Sequence, residues 1–332
     1  MKNSRVRRIA AILVGVITFT FGVYYVMANF HWRAMIEVLK GANPYWLIIG
    51  GTASVVVFWF MRTLRWDVLL KSQGTQVRFL NLYLCTAISL AFSTITPLQS
   101  GETLKVEWLR KQGLLHRVEG YGTFAVERLI DACVIASLTA VGASGTLGIR
   151  IGWEIVPWLL GTIAMAFLIC TTAARLQVIR DAFGKLLTQF ILYTRSPREL
   201  FSSVVLSLGA WGAAVLGWQV TLHSITIDIS FQESCALMVS GLIISLVSCV
   251  PGSIGVAEAG MTELLIRLHQ EVAIAQAGAI ALRIYSILGL VLGGAHLLIL
   301  RKYLVRITAF GQVRSGSLGP IPINVSDEKK RE

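Results

Sequence analysis

Long apolar blocks alternate with short basic clusters along this chain, and within the blocks the apolar residues run on rather than recurring at amphipathic spacing. A helix needs about 20 mostly apolar residues to cross the hydrocarbon of a bilayer. Six blocks reach or approach that length: Ile9–Ala28, Tyr45–Met61, Tyr121–Gly148, Ile155–Ala173, Ser203–Thr221 and Val272–Leu300. Each predicts a spanning helix. The first follows Arg5, Arg7 and Arg8, as a signal peptide would. Its length, and the lack of a small-residue cleavage site before Asn29, predict a retained helix instead. Two further apolar blocks end differently. Leu80–Thr96 runs into Pro97 and a polar stretch that includes Gly101 and Glu102, and Cys235–Val250 runs into Pro251, Gly252, Gly255 and Glu258.

If all eight blocks were simple spans, the loop holding Lys105, Arg110, Lys111 and Arg117 would face outward, against the positive-inside rule. If the two interrupted blocks enter, break and return on one side, the first re-entrant hairpin opens to the cytoplasm and the second to the outside. Cytoplasmic segments then hold 24 of the 30 basic residues, and outer segments hold only Arg33, Lys40, Arg150 and Arg267. This asymmetry favours hairpins, with both termini cytoplasmic in the inner, energy-coupled type of membrane. Non-helical backbone at such depth needs protein or a water-filled cavity around it.

The pattern then repeats. The predicted fold class is an all-α integral membrane protein, an inverted repeat of two halves, each with three transmembrane helices and one re-entrant hairpin. The halves are residues 1–150 and 151–300, and 301–332 form a basic cytoplasmic tail expected to be disordered. Pro97 and Pro251 mark equivalent breaks. Glu102 and Glu258 follow them by five and seven residues, and Arg128 and Arg283 lie 26 and 25 residues further on. Paired interrupted segments of this kind point to a transporter's binding site.

Composition agrees with a membrane solvent: 55% of residues are hydrophobic and 14% charged, where soluble domains carry about 25% charged. The net charge of +12 lies in clusters between apolar blocks, without a basic face interleaved with exposed aromatics. That argues for anionic lipid headgroups and against nucleic acid. The five cysteines (85, 133, 170, 235 and 249) all sit in apolar segments and form no CxxC, so they read as small buried hydrophobes. No HExxH, nucleotide loop or Ser/His/Asp signature is present, and neither a metal nor a cofactor is expected.

Arg128 and Arg283 each fall near the bilayer midplane, about 13 and 16 Å deep from opposite faces. A charge at that depth costs several kcal/mol unless paired. Two readings stand: a guanidinium clamp on a phosphate, or structural pairs, Arg128 with Asp131 and Arg283 with Glu258. Glu102 and Glu258 sit at the hairpin tips. There, restarting helices favour a lipid phosphate or cap themselves with the glutamate's own carboxylate. If buried, these glutamates also offer proton coupling. Glu127 and Asp131 share a helix face and either shuttle protons or hold Arg128. Tyr285 adjoins Arg283, Gly289-x-x-x-Gly293-Gly294 reads as a packing motif, and His296 as a packed histidine.

Four motifs follow in order: Arg62-x-x-Arg65-Trp66-x-x-Leu69-Leu70, Pro97-x-x-x-Gly101-Glu102, Glu127-Arg128-x-x-Asp131, and Pro251-Gly252-x-x-Gly255-x-x-Glu258. The series resembles the lysylphosphatidylglycerol synthase transmembrane-region family, the flippase-like module of the multiple peptide resistance factor, over about residues 9–305. Full-length members resemble two-part proteins in which a soluble aminoacyl-transferase domain follows the membrane module. About 30 residues follow the last predicted helix here, so the resemblance implies lipid translocation without lipid synthesis, and no enzymatic activity. It carries over Arg65, Glu102, Arg128, Asp131, Glu258 and Arg283 as the positions at stake. Unlike Pro251-Gly252, Pro97 has no adjacent glycine.

The leading expectation is a flippase-like transporter for an anionic phospholipid or a polyprenyl-phosphate-linked lipid. Its headgroup would lie between the hairpin tips, against Arg128, Arg283 and Arg65. The alternative is a non-transporting membrane partner of a glycosyltransferase or lipid-modifying enzyme, docking through Arg175–Arg198 or the tail. An intramembrane enzyme would need a positioned nucleophile or metal, and none is evident. The sequence leaves the oligomeric state open.

Overall fold

A computed structural model of the protein describes residues 20–146, 197–248 and 250–315. The block Ile155–Ala173, residues 9–19 of the first block, residues 175–196, Cys170, Cys249 and the chain beyond Ser315 lie outside the described residues.

Within them every regular element is helical. Residues 20–29 form α1, and Trp32–Lys40 form α2. A π-helical turn, Tyr45–Gly50, leads into α3, Gly51–Ser72. Then come α4, Phe79–Ser93, a 3-10 turn over Pro97–Thr103, α5, Leu104–Lys111, and α6, Arg117–Thr146. In the second half α7 is Pro197–His223 and α8 is Phe231–Ser248. A 3-10 turn over Pro251–Ser253 precedes α9, Val256–Arg267, and α10 is Val272–Ser315.

Four of these stretches are long and apolar enough to cross a membrane: Tyr45–Ser72, Pro197–His223, Phe231–Ser248 and Val272–Leu300. The 15-residue α4 is apolar but only about 22 Å long, short of the hydrocarbon thickness. Its counterpart α8 has 18 residues, about 27 Å, and could reach most of the way across. At 30 residues α6 has ample length, and it carries Glu127, Arg128 and Asp131.

Two boundaries differ from the sequence pattern. The helix begun at Tyr45 does not stop at Met61 but continues to Ser72, carrying Arg62 and Arg65 inside it. Both arginines are buried against carboxylates, so the helix need not end before them. The last helix runs on past Leu300 to Ser315, into the segment expected to be a disordered tail.

The packing is reciprocal. α3 lies along α7, α6 packs on α8, and α10 packs on α4. Small residues set the closest approaches. A Cβ at Gly293 of α10 would meet the Ala91 Cβ of α4 at 2.1 Å, so these helices touch at backbone distance. Gly289 and Gly294, in the same motif, have nothing within 4 Å of such a Cβ, and only Gly293 acts as the packing glycine. His296 packs edge-on against Trp59 and Tyr83. Cys85, Cys133 and Cys235 form no disulfide; Cys85 and Cys235 are buried and Cys133 is half-buried.

Candidate functional site

The two helix interruptions share a backbone logic. Pro97 and Pro251 lack an N–H and restrict the residue before them to extended backbone. Thr96 (φ −93°, ψ 138°) and Val250 (φ −85°, ψ 132°) are accordingly extended, and each proline opens a 3-10 turn. Left-handed residues follow. In the second turn these are Gly252 (φ 65°) and Ser253 (φ 52°). In the first, Gln99 (φ 53°) takes that role two residues after its proline, which is how the turn forms without an adjacent glycine. Gly101 is required for a different reason: a Cβ there would lie 2.7 Å from Ser93 N. The second turn approaches the C-terminal end of α4, since a Cβ at Gly252 would lie 3.9 Å from the Thr94 carbonyl oxygen.

Seven ionisable side chains form one connected network at the first turn. Arg62 and Arg65 sit three residues apart on α3, so they share a face. Arg62 Nη2 reaches Glu102 Oε2 at 2.9 Å and Asp131 Oδ2 at 3.1 Å. Arg65 forks onto Asp131, with Nη1–Oδ1 at 2.5 Å and Nη2–Oδ2 at 3.3 Å, and also donates to Glu127 and to Ser207 of α7. Lys105 donates to Glu127 and stacks 4.5 Å from the Trp66 ring centroid. Arg128 reaches Glu102 at 2.6 Å and Asp131 at 2.9 Å. Trp211 Nε1–H donates to Asp131 at 3.0 Å. All but Arg128 are buried. Breaking one partner out of a buried ion pair leaves a charge without compensation, so the network locks α3, α5, α6 and the first turn together.

The second turn has a single ion pair. Arg283 Nε donates to Glu258, and Nη1 donates to the Gly252 carbonyl at 2.7 Å. Glu258 also accepts the Gly255 N–H at 2.7 Å, capping α9. Glu102 has no such role: the Gly101 N–H donates to Thr96 Oγ1 at 2.8 Å instead, leaving the Glu102 carboxylate to the arginines.

Between the two turns lies a cavity of about 540 Å³. Arg62 of α3 and Glu102 of the first turn line it on one side, and Gly252 and Ser253 of the second turn, Glu258 of α9 and Arg283 of α10 on the other. Trp59, Phe58, Trp211, Trp218 and Tyr285 supply apolar wall. Arg62 is 2% exposed, and its Nε–H, like that of Arg128, is buried without an acceptor among the described residues. The site is thus concave, mostly apolar and supplied with a few convergent charged donors, as small-ligand sites are.

Of the residues singled out from sequence, Arg283, Glu258, Glu102 and Gly252 meet at this cavity. Arg128, Arg65, Glu127 and Asp131 stand behind Arg62 in the network and hold it. Both pairings considered for the arginines form, Arg128 with Asp131 and Arg283 with Glu258. Tyr285 faces the cavity, with its hydroxyl 3.1 Å from that of Ser54. Arg62 and Lys105 are the residues the sequence reading passed over. From sequence both count as cytoplasmic topology charges, and the available signal is the three-residue spacing of Arg62 and Arg65 at the end of an apolar block. Among the described residues no cluster of three or more His, Cys, Asp or Glu side chains could hold a metal ion.

The profile of the family described as "Lysylphosphatidylglycerol synthase TM region" matches residues 9–294. A UPF0104 membrane protein of Archaeoglobus fulgidus is 23% identical over 258 residues, covering 69% of this chain and 78% of the relative. A UPF0104 membrane protein of Pyrococcus horikoshii is 23% identical over 290 residues, covering 75% of this chain and 85% of the relative.

Proposed function

The chain belongs to the lysylphosphatidylglycerol synthase transmembrane-region family, and from that premise we propose that it carries an anionic phospholipid or a polyprenyl-phosphate-linked lipid between leaflets without altering it chemically. The observation that carries this reading is the cavity of about 540 Å³ between the two interrupted helices, with the guanidinium of Arg62 from α3 beside the first turn and that of Arg283 from α10 beside the second in its wall. Arg62 and Arg283 present planar forks that suit phosphate oxygens. The apolar remainder of the wall excludes bulk water, while acyl chains stay in the bilayer.

In this account α4 and α5 form one re-entrant hairpin and α8 and α9 the other. Each belongs to one of two inverted halves, residues 1–150 and 151–300. The reciprocal packing of α6 on α8 and α10 on α4 supports that symmetry, because each half's last helix grips the other half's hairpin. The matching proline turns, each with a left-handed residue two positions on, support it independently. The short α4 supports a segment that enters without crossing. The protein sits in the inner membrane with both termini cytoplasmic. Burial of Arg62, Arg65 and Lys105 removes three residues from the cytoplasmic count of 24. The asymmetry that sets the orientation survives, because only four basic residues lie outside. Labelling of a cysteine at Lys111 from the external side would overturn this orientation. Rocking of the two halves would open the cavity to each leaflet in turn.

Arg283→Gln retains a donor for Glu258 and Gly252 but removes the charge. In vesicles reconstituted with phosphatidylglycerol, headgroup transfer falls about tenfold to a hundredfold, the value of one charge-assisted hydrogen bond. Wild-type transfer by this variant, with matching protein insertion, would reject Arg283 as a headgroup ligand.

A further inference from the structure

The connected network at the first turn is not electrically balanced. Four cations, Arg62, Arg65, Lys105 and Arg128, face three carboxylates, Glu102, Glu127 and Asp131, which leaves one positive charge in excess. The pair at the second turn, Arg283 with Glu258, is neutral. Among the described residues the two turns flanking the cavity therefore carry a combined charge of +1. Each cation has a reason to stay charged. The arginines cannot be deprotonated in a protein, and Lys105 is held by Glu127 and by the faces of Trp66 and Phe124.

Six of the seven groups are buried and the fourth cation, Arg128, keeps a third of its side chain accessible; an unbalanced charge on such a cluster inside a membrane protein marks a place where a counter-charge belongs. Two buried donors of the network, the Nε–H groups of Arg62 and Arg128, have no acceptor among the described residues, and of the four cations Arg62 is the one that lines the cavity. From this we infer that the site takes a phosphodiester monoanion, one negative charge with no ionised group beside it, and discriminates against lipids of any other net charge. The inference rests on the transport reading and narrows its substrate. A phosphodiester brings the two turns to neutrality. A phosphomonoester, at about −1.5 to −2 near pH 7, overshoots. A zwitterionic headgroup leaves the excess in place, and one bearing an additional ammonium raises it. The same chemistry is offered by a glycerophospholipid such as phosphatidylglycerol and by a polyprenyl phosphate esterified to a sugar.

Native mass spectrometry of the purified full-length chain, titrated separately with four probes, tests this. The probes are phosphatidylglycerol, phosphatidic acid, phosphatidylethanolamine and a polyprenyl phosphosugar. Wild-type protein should bind one or both diester monoanions about tenfold or more tighter than phosphatidic acid and phosphatidylethanolamine, a decade being a modest share of one unbalanced buried charge. Which diester binds tighter identifies the source. The preference should then follow the network's charge. Glu127→Gln, which raises the excess to two, shifts it toward phosphatidic acid. Arg128→Gln, which removes the excess, shifts it toward phosphatidylethanolamine. Arg128 is partly exposed, with a third of its side chain accessible, so this variant keeps the test alive if Glu127→Gln fails to fold. Diester binding with equal affinity for the other charges, or an unchanged order in either folded variant, would overturn the charge rule while leaving transport standing. Failure of the wild type to bind any of the four lipids would sink the transport reading itself.

Discussion

Asp131→Ala lowers the unfolding free energy of the detergent-purified protein by about 3–5 kcal/mol, the cost of removing one partner from a buried ion-pair network. No other carboxylate in the network holds as many groups. Asp131 receives the Arg65 fork, lies within 3.1 Å of Arg62 and 2.9 Å of Arg128, and accepts the Trp211 indole N–H. Its loss leaves three buried cations and the partly exposed Arg128 facing two carboxylates. It also unties α3 from α6 and α6 from α7, because Arg65, Asp131 and Trp211 come from those three helices. The comparison is Asp67→Ala. Asp67 pairs with Lys71, whose side chain is 59% exposed, and its loss should cost about 1 kcal/mol or less. Thermal and denaturant unfolding of the two variants side by side checks the difference. Equal destabilisation would mean that the buried network is not what joins these helices.

Gly289→Trp abolishes lipid transfer and leaves the fold intact. Gly289 lines the cavity, and a Cβ built there meets no heavy atom within 4 Å, so an indole can project into open space. Gly293, one turn further on, already touches Ala91, and a large side chain there would force α10 off α4. An indole in the cavity takes up volume that a headgroup needs and buries its own apolar surface, so the melting temperature should hold or rise while transfer in reconstituted vesicles is lost. Gly294→Trp has equal free space but is not part of the cavity wall, and it should transport normally. If Gly289→Trp also transports normally, substrate takes another route.

What the sequence made legible follows from what is local. Apolar length marks the spans, and a proline after an apolar block marks a break, because proline acts on its own and the preceding residue. The Arg128–Asp131 pair was legible from its three-residue spacing, and Arg283–Glu258 from the matching positions in the two halves. The network around Arg62 was not. Its partners lie 40 residues away at Glu102, and Lys105 finds Glu127 22 residues on. A rule that counts positive charges near the ends of apolar blocks cannot separate a solvated lysine from one stacked on Trp66 beneath a glutamate. The same limit explains the end of α3. Arg62 looks like a stop until its carboxylates are known, and with them the helix runs on for ten more residues. The cavity itself depends on the two interrupted segments meeting, as Thr94 at the end of α4 and Gly252 of the second turn do, and no pattern along one segment encodes that contact.

The most direct test of the central claim is to ask where a lipid headgroup goes. Phosphatidylglycerol bearing a photoreactive headgroup is equilibrated with the reconstituted protein, irradiated, and the adducts mapped by peptide mass spectrometry. The account predicts adducts on cavity residues from both turns, Gln99 and Ser253 among them, reduced by excess unlabelled phosphatidylglycerol and lost in Gly289→Trp. Adducts confined to the exposed apolar faces, at Val247, Val291 or Leu298, would contradict it and leave the cavity without a headgroup.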